Sequence, residues 1–173
     1  MSFLSRLMGR PEPYQKVYQP YWETVSIYDG GAVFLRDLEA VPEAVRPLLV
    51  THWLQSEVNN GGFEQFFMNS TGVLAPEAAQ GFVAIAMPRA GAVVAELVAA
   101  FGPEYPRDKE ARNDWLGAHE DAFYAQFPDE NAADLSLAGP LLNLPNALFW
   151  KLLKEEGGGY LASANRYSEG LSA

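Results

Sequence analysis

The chain has 173 residues, no cysteine and 49% hydrophobic residues, which is enough for one domain with its own core and excludes disulfides and thiolate metal sites. Twenty-two acidic residues against twelve basic ones give a formal net charge of −10. That balance disfavours direct binding of nucleic acid, which needs clusters of Lys and Arg, and favours a basic partner.

The first half of the chain has helical periodicity, and no run alternates like a strand over more than about four or five residues. Residues 1–12 are predicted to form an N-terminal arm, and residues 13–173 a single compact all-α domain. Pro42 suits the first position of a helix, and the Asn-Gly pairs at residues 59–62 suit a helix end. The predicted helices are residues 13–28, 32–38, 42–58 and 63–69.

The second half continues this pattern with short connections rich in Pro, Gly and Asn. Residues 90–101 are almost wholly apolar, with Glu96 as the one acid, so this helix is expected to be central. Residues 129–146 contain two prolines and are predicted to be irregular. The predicted helices are residues 76–87, 90–101, 106–126, 147–154 and 160–167.

No targeting or membrane-spanning segment is predicted. The first ten residues lack the apolar run of a signal peptide, and the longest apolar stretch, residues 81–87, is too short to span a bilayer. Together with the absence of cysteine, this predicts a cytoplasmic protein without a membrane partner.

The most distinctive segment is residues 53–72, with the sequence WLQSEVNNGGFEQFFMNSTG. Its three phenylalanines have helical i, i+3 and i+4 spacing, and polar side chains surround the Asn-Gly turn. These polar groups either form a pocket for a small ligand or peptide, or cap the helix ends that meet there. We call this set the signature corner; it comprises Trp53, Glu57, Asn59, Asn60, Gly61, Gly62, Phe63, Gln65, Phe66, Phe67 and Asn69.

The segment resembles the hallmark of a bacterial family of DNA-mimic proteins, most of whose members are domains of unknown function. The resemblance is close over about twenty residues, and the spacing of the flanking helices is compatible from about residue 22 onward. It implies a helical fold and a charged surface that occupies a DNA-binding protein. Because mimicry depends on surface acids that the hallmark does not specify, the acids have to be identified from this sequence.

The acidic residues are concentrated between residues 104 and 134. Nine acids and three bases in this stretch account for a net charge of −6. We call the nine acids the acidic run and predict that they form the interaction surface. They are Glu104, Asp108, Glu110, Asp114, Glu120, Asp121, Asp129, Glu130 and Asp134.

A helical wheel orients the predicted helix over residues 106–126. It places Ala111, Trp115, Ala118 and Ala122 on the apolar face, with His119 and Phe123 at its edge, and Glu110, Asp114 and Asp121 on the outward side. One such stripe is sparser than the phosphates of a DNA strand, which carries a charge about every 3.4 Å. Other acids or a second subunit must complete the surface, and the 22 aromatic residues are compatible with a homodimer.

No catalytic, cofactor or metal site is predicted, and the chain is not expected to be an enzyme. The two histidines and Glu57 lack the spacing of a metal-binding helix, and Gly157–Gly159 lacks the lysine of a phosphate-binding loop. Glu120 and Asp121 point to different sides of their helix and make a poor acid–base pair.

The sequence therefore predicts an acidic protein-binding domain. In the favoured hypothesis it is a DNA mimic that occupies a basic DNA-binding protein such as a transcriptional regulator. The alternatives are a small-ligand or peptide-binding module that uses the corner at residues 57–69, and a structural domain without enzymatic activity.

Overall fold

The computed structural model of the chain describes residues 11–124, 126 and 143–171. These residues form helices joined by short connections and contain no strand, which confirms the all-α prediction. The α-helices are α1 (Pro13–Tyr18), α2 (Gly31–Ala40), α3 (Arg46–Met68), α4 (Ala75–Ala84), α5 (Pro88–Ala100), α6 (Lys109–Tyr124), α7 (Asn143–Glu155) and α8 (Tyr160–Gly170). Three 3-10 turns occupy Gln19–Tyr21, Ser70–Leu74 and Glu156–Gly158.

Helix α3 lies at the centre of the fold. Its buried residues include Leu48, Leu49, Leu54 and Val58, all of them fully inaccessible to solvent. Helices α1, α4, α6 and α7 all pack against α3, and α4 and α5 pack closely against each other. The core is therefore assembled around the helix that carries the signature corner.

Helix α1 fastens the start of the described chain to its end. The Tyr14 amide donates to Asn165 Oδ1 at 3.1 Å, and Asn165 Nδ2 donates to Glu12 Oε2 at 3.0 Å. Tyr14 itself is buried against α3 and α8. The predicted arm over residues 1–12 lies almost entirely outside the described residues and stays a prediction.

The prediction of one helix over residues 13–28 is wrong in its second half. Helix α1 ends at Tyr18, and a 3-10 turn containing Pro20 follows it. Proline has no amide hydrogen and its ring obstructs the preceding carbonyl, so an α-helix cannot continue through it unperturbed. The side chains of Val25 and Ile27 are nevertheless buried, from a connection made of turns and bends.

Two further expectations need correction. The helix predicted to begin at Pro42 begins instead at Arg46, after a turn, with Pro47 in its first turn. Helix α5 was expected to be central, but it buries one face only, and Ala95, Glu96 and Ala99 are exposed. Small alanine side chains permit exposure at little cost, so an apolar composition overstated the burial. No described helix is both long enough and apolar enough to cross a bilayer.

Candidate functional site

The acidic run begins in the connection between α5 and α6. Glu104 is exposed in that connection, and Glu110 and Asp114 are exposed one helical turn apart on α6. Within the described part of the chain, none of these three carboxylates forms an ion pair or accepts a hydrogen bond. The predicted outward orientation of Glu110 and Asp114 is thus confirmed, and both are free to meet a partner.

Asp108 has a structural task at the start of α6. Its Oδ1 accepts hydrogen bonds from the backbone amides of Glu110 at 3.0 Å and Ala111 at 3.1 Å. This is the N-cap arrangement, which satisfies amides that have no partner within the helix. The helix predicted to start at Pro106 therefore starts after Asp108, and this exposed carboxylate serves both the helix and the surface.

Two of the three basic residues between residues 104 and 134 point into the protein. Arg107 donates to both carboxylate oxygens of Glu77 at 2.7 Å and to the carbonyl of Val73 at 3.0 Å. Arg112 is fully buried. Over residues 104–119 the sequence has four acids and three bases, whereas the structure exposes all four acids and one base, Lys109. The surface of this stretch is therefore more acidic than its composition.

The Arg112 side chain lies beneath the start of α6, and its hydrogen bonds to the described residues all go to backbone carbonyls. Its guanidinium donates to the carbonyls of Phe67, Asn69, Pro106 and Arg107 at 2.5–3.2 Å. Burial lowers the pKa of this guanidinium, and the neighbouring Tyr105 and Asp108 oppose the shift. The side chain ties α6 directly to the C-terminal end of α3.

The predicted apolar face of this helix is wrong at its three alanines, whereas Trp115 is partly buried and packs on Phe101 with ring centroids 4.8 Å apart. Ala111, Ala118 and Ala122 are exposed, whereas Arg112 and Phe123 are buried. At about 100° per residue, Leu116 and Phe123 fall within about 40° of Arg112, so the large apolar side chains do mark the inward side. Because the sequence prediction treated the alanines as core residues, it assigned the wrong side of the helix to the core. The positions of the large apolar side chains would have indicated the buried side.

Of the remaining members of the acidic run, two lie on α6 and three lie outside the described residues. Helix α6 has non-helical torsions at His119, with φ −124° and ψ 18°. Glu120 and Asp121 follow this kink within the helix. The positions Asp129, Glu130 and Asp134 lie outside the described residues, so their part in the surface stays a prediction.

The signature corner is a kink in α3. Gly61 and Gly62 have non-helical torsions, and Gly62 has φ 76° and ψ −179°. The helix therefore breaks and resumes where the Asn-Gly pairs predicted a boundary. Phe63, Phe66 and Phe67 are buried on one side, in ring contact with one another at 5.2–6.5 Å.

Helix α7 holds the kink in place. Asn146 Oδ1 accepts a hydrogen bond from the Phe63 amide at 2.8 Å, and Trp150 Nε1 donates to the carbonyl of Val58 at 3.3 Å. Asn146 thus substitutes for the acceptor that a continuous helix would offer. Its role could not be read from the sequence, because 83 residues separate the two partners.

The polar residues of the corner mostly bond to nearby side chains. Asn69 donates to Glu57 at 3.1 Å, and Asn59 donates to Gln55 at 2.9 Å. Asn60 and Gln65 are exposed, and Gln65 lies over Gly61. Trp53 is buried away from this group, where its ring packs on Trp22 with centroids 4.6 Å apart.

Comparison with known protein families finds a match over residues 39–156 to the family described as DMP19-like protein. The chain belongs to this DNA-mimic family. The matched range covers more than half of the chain and contains both the signature corner and the acidic run. No curated protein and no solved structure matches the chain.

Both histidines of this DMP19-like chain are used within the fold. His52 Nδ1 lies 3.0 Å from the Tyr14 hydroxyl, and His119 Nδ1 lies 2.8 Å from the Trp115 carbonyl. Across the described ranges, no group of three or more His, Asp and Glu side chains is arranged to hold a metal ion.

Acidification is expected to destabilise the fold through His52. Burial lowers the pKa of this imidazole to about 4, below its ordinary value of about 6.5. His52 therefore takes up a proton at a higher pH in the unfolded chain than in the folded chain. The free energy of unfolding falls as the pH drops from about 6.5 towards 4. Between pH 7 and pH 4.5 the cost from His52 is about 2 kcal/mol.

Urea unfolding at both pH values checks this, with His52→Phe and Tyr14→Phe as paired variants. His52→Phe should lose about 2 kcal/mol less than wild type on acidification. Tyr14→Phe keeps the imidazole and should retain the steep dependence from a lower starting stability. Identical acid sensitivity in wild type and His52→Phe would assign the loss to carboxylates.

Proposed function

We propose that this chain is an acidic protein-binding domain that occupies the DNA-binding surface of a basic protein. Membership of a DNA-mimic family supports this role. The observation that carries it is the inward placement of Arg107 and Arg112, which leaves the start of α6 with four exposed acids and one exposed base.

The acids at the start of α6 are held ready for a partner. Arg112 fixes the helix against the signature corner, and Asp108 caps its first turn. A charged surface that is already ordered loses little conformational entropy on binding. We infer that this anchoring lets Glu104, Glu110 and Asp114 bind basic side chains without first being organised.

The described acids do not by themselves reproduce the charge density of DNA. Glu110 and Asp114 lie four residues apart, about 6 Å along the helix axis, against about 3.4 Å per phosphate on one DNA strand. The proposal therefore includes Glu120, Asp121, Asp129, Glu130 and Asp134, or a second copy of the chain, as the rest of the surface.

The signature corner is proposed to be structural. The bonds from Asn69 to Glu57 and from Asn59 to Gln55 occupy three of its five polar side chains, and a ligand that used these three would have to break the bonds. The corner also supplies the carbonyls of Phe67 and Asn69 that receive Arg112. Its contribution to binding is to position α6.

A charge-neutral triple variant tests the proposed surface. A protein retained from cell extract at about 50 mM salt and released at about 300 mM salt is purified first. Its affinity for the variant Glu104→Gln, Glu110→Gln, Asp114→Asn is expected to fall about tenfold or more, because three carboxylates stop meeting basic side chains. Isothermal titration measures the change.

The matched control is Glu39→Gln, Glu96→Gln, Glu169→Gln, which removes three exposed acids from α2, α5 and α8. It changes the net charge equally and should weaken binding only about two- to threefold. A labelled DNA duplex should be displaced from the partner by the wild-type chain. Equal losses in both triple variants, or a partner that binds duplex and chain together, would contradict the proposal.

A further inference from the structure

A cleft of about 530 Å³ lies between α1, the turn that follows it, and α3. It is lined by both polar and aromatic side chains and lies outside the acidic run. Its lining includes Gln15, Tyr18, Gln19, Trp22, Glu23 and His52.

The aromatic walls of the cleft are held by ring contacts. The rings of Tyr18 and His52 lie 4.9 Å apart, and those of Tyr18 and Trp22 lie 5.7 Å apart. Trp22 also packs on the buried Trp53 and yet is 37% exposed. An indole that is fixed in place and still reaches solvent is a favourable surface for a cation.

The charge of the cleft is suited to a cation. Glu23 is exposed, and its carboxylate has no bonding partner in the described ranges. None of the described lining residues is Lys or Arg. Burial lowers the pKa of His52 to about 4, so its ring is neutral at pH 7 and adds no repulsive charge.

We propose that this cleft receives an arginine side chain of the basic partner. The guanidinium stacks on the exposed part of the Trp22 indole and donates to the Glu23 carboxylate and to the amide oxygen of Gln19. Arginine suits the cleft better than lysine, because its planar head both stacks and forms paired hydrogen bonds. The inference rests on the proposed function, since the basic partner supplies the arginine.

Small probes test the cleft without any partner. Nα-acetylarginine amide is titrated into the ¹⁵N-labelled full chain, and the indole N–H signal of Trp22 is followed, assigned with Trp22→Phe. We expect a saturable shift in the range of about 1–10 mM, as for one exposed cation–π and carboxylate contact. The uncharged citrulline analogue should bind at least about fivefold more weakly.

Glu23→Gln should weaken the arginine probe about three- to fivefold and leave the citrulline probe unchanged. Glu96→Gln, an exposed acid on α5 outside both the cleft and the acidic run, should alter neither. Equal binding of arginine and citrulline analogues, stronger binding of the lysine analogue, or no effect of Glu23→Gln would overturn the inference.

The outcome is separable from that of the proposed function. A partner that depends on the acidic run, together with a cleft indifferent to arginine, would overturn the cleft alone. Arginine binding that requires Glu23, together with triple variants that behave alike, would overturn the proposed acidic surface and retain the cleft.

Discussion

Replacing Arg112 with methionine is expected to lower the free energy of unfolding by about 3–5 kcal/mol. The guanidinium is fully buried and donates to four backbone carbonyls. Methionine fills similar space without a donor, so these carbonyls lose their partner, and each acceptor left unsatisfied in the interior costs about 1–3 kcal/mol. Water reaching the partly buried carbonyls limits the total.

The surroundings are shaped for this side chain. A Cβ atom at Gly72 would lie 2.7–2.8 Å from the Arg112 guanidinium, so only glycine leaves room for it. The carbonyl of Gly72 accepts instead from the Tyr105 hydroxyl at 2.7 Å. Lysine keeps the charge, but its single ammonium group cannot donate to all four carbonyls. Arg112→Lys should therefore recover only part of the free energy of unfolding that Arg112→Met loses.

Urea unfolding followed by circular dichroism measures both variants. Arg89→Met is the control, because Arg89 is exposed, and it should change stability by no more than about 0.5 kcal/mol. If Arg112→Met stays within about 1 kcal/mol of wild type, the four hydrogen bonds do not anchor α6. A destabilised Arg112→Met that remains folded should also bind the partner more weakly, since its acids are no longer held in place.

Replacing Gly62 with alanine is expected to cost about 2–4 kcal/mol. Its torsions, φ 76° and ψ −179°, fall in a region that is open almost only to glycine. A Cβ atom would also lie 2.7 Å from Asn146 Nδ2. The substitution therefore strains the backbone and displaces the side chain that accepts the Phe63 amide.

Gly61→Ala is the matched control one position earlier. Gly61 has φ −152°, a value that other residues adopt, and its Cβ would meet the flexible end of the exposed Gln65. We expect a change of about 1 kcal/mol or less, by the same unfolding measurement. Equal costs for the two substitutions would show that the left-handed torsion of Gly62 and its contact with Asn146 do not determine the effect, because helix propensity by itself favours alanine over glycine.

Helical periodicity and turn residues predicted the all-α fold and most of its helices. The Asn-Gly pairs at residues 59–62 marked the interruption of α3, and the spacing of Phe63, Phe66 and Phe67 placed them on one buried side. These features are local, since torsional preference and side-chain spacing act within a few residues. The predicted helix over residues 13–28 was wrong because Pro20 interrupts it. The burial of α5 was overestimated because several of its apolar residues are small alanines that are exposed.

The acidic run shows the limit of reading charges from sequence. Its exposed acids at Glu104, Glu110 and Asp114 followed from composition and spacing. Arg107 and Arg112, which looked like offsetting surface charges, are instead bonded to Glu77 and to backbone carbonyls. Glu77 and the carbonyls of Phe67 and Asn69 lie 30 to 45 residues away from these arginines in sequence.

The sequence by itself determined that this chain is helical, acidic and built around an Asn-Gly corner that identifies its family. Only the tertiary structure decided which charges face water. A buried guanidinium is tolerable only where hydrogen-bond acceptors satisfy it. The carbonyls that do so here converge only after α6 has packed against the end of α3. The acidity of the exposed surface is therefore a property of the fold, while the net charge is a property of the sequence.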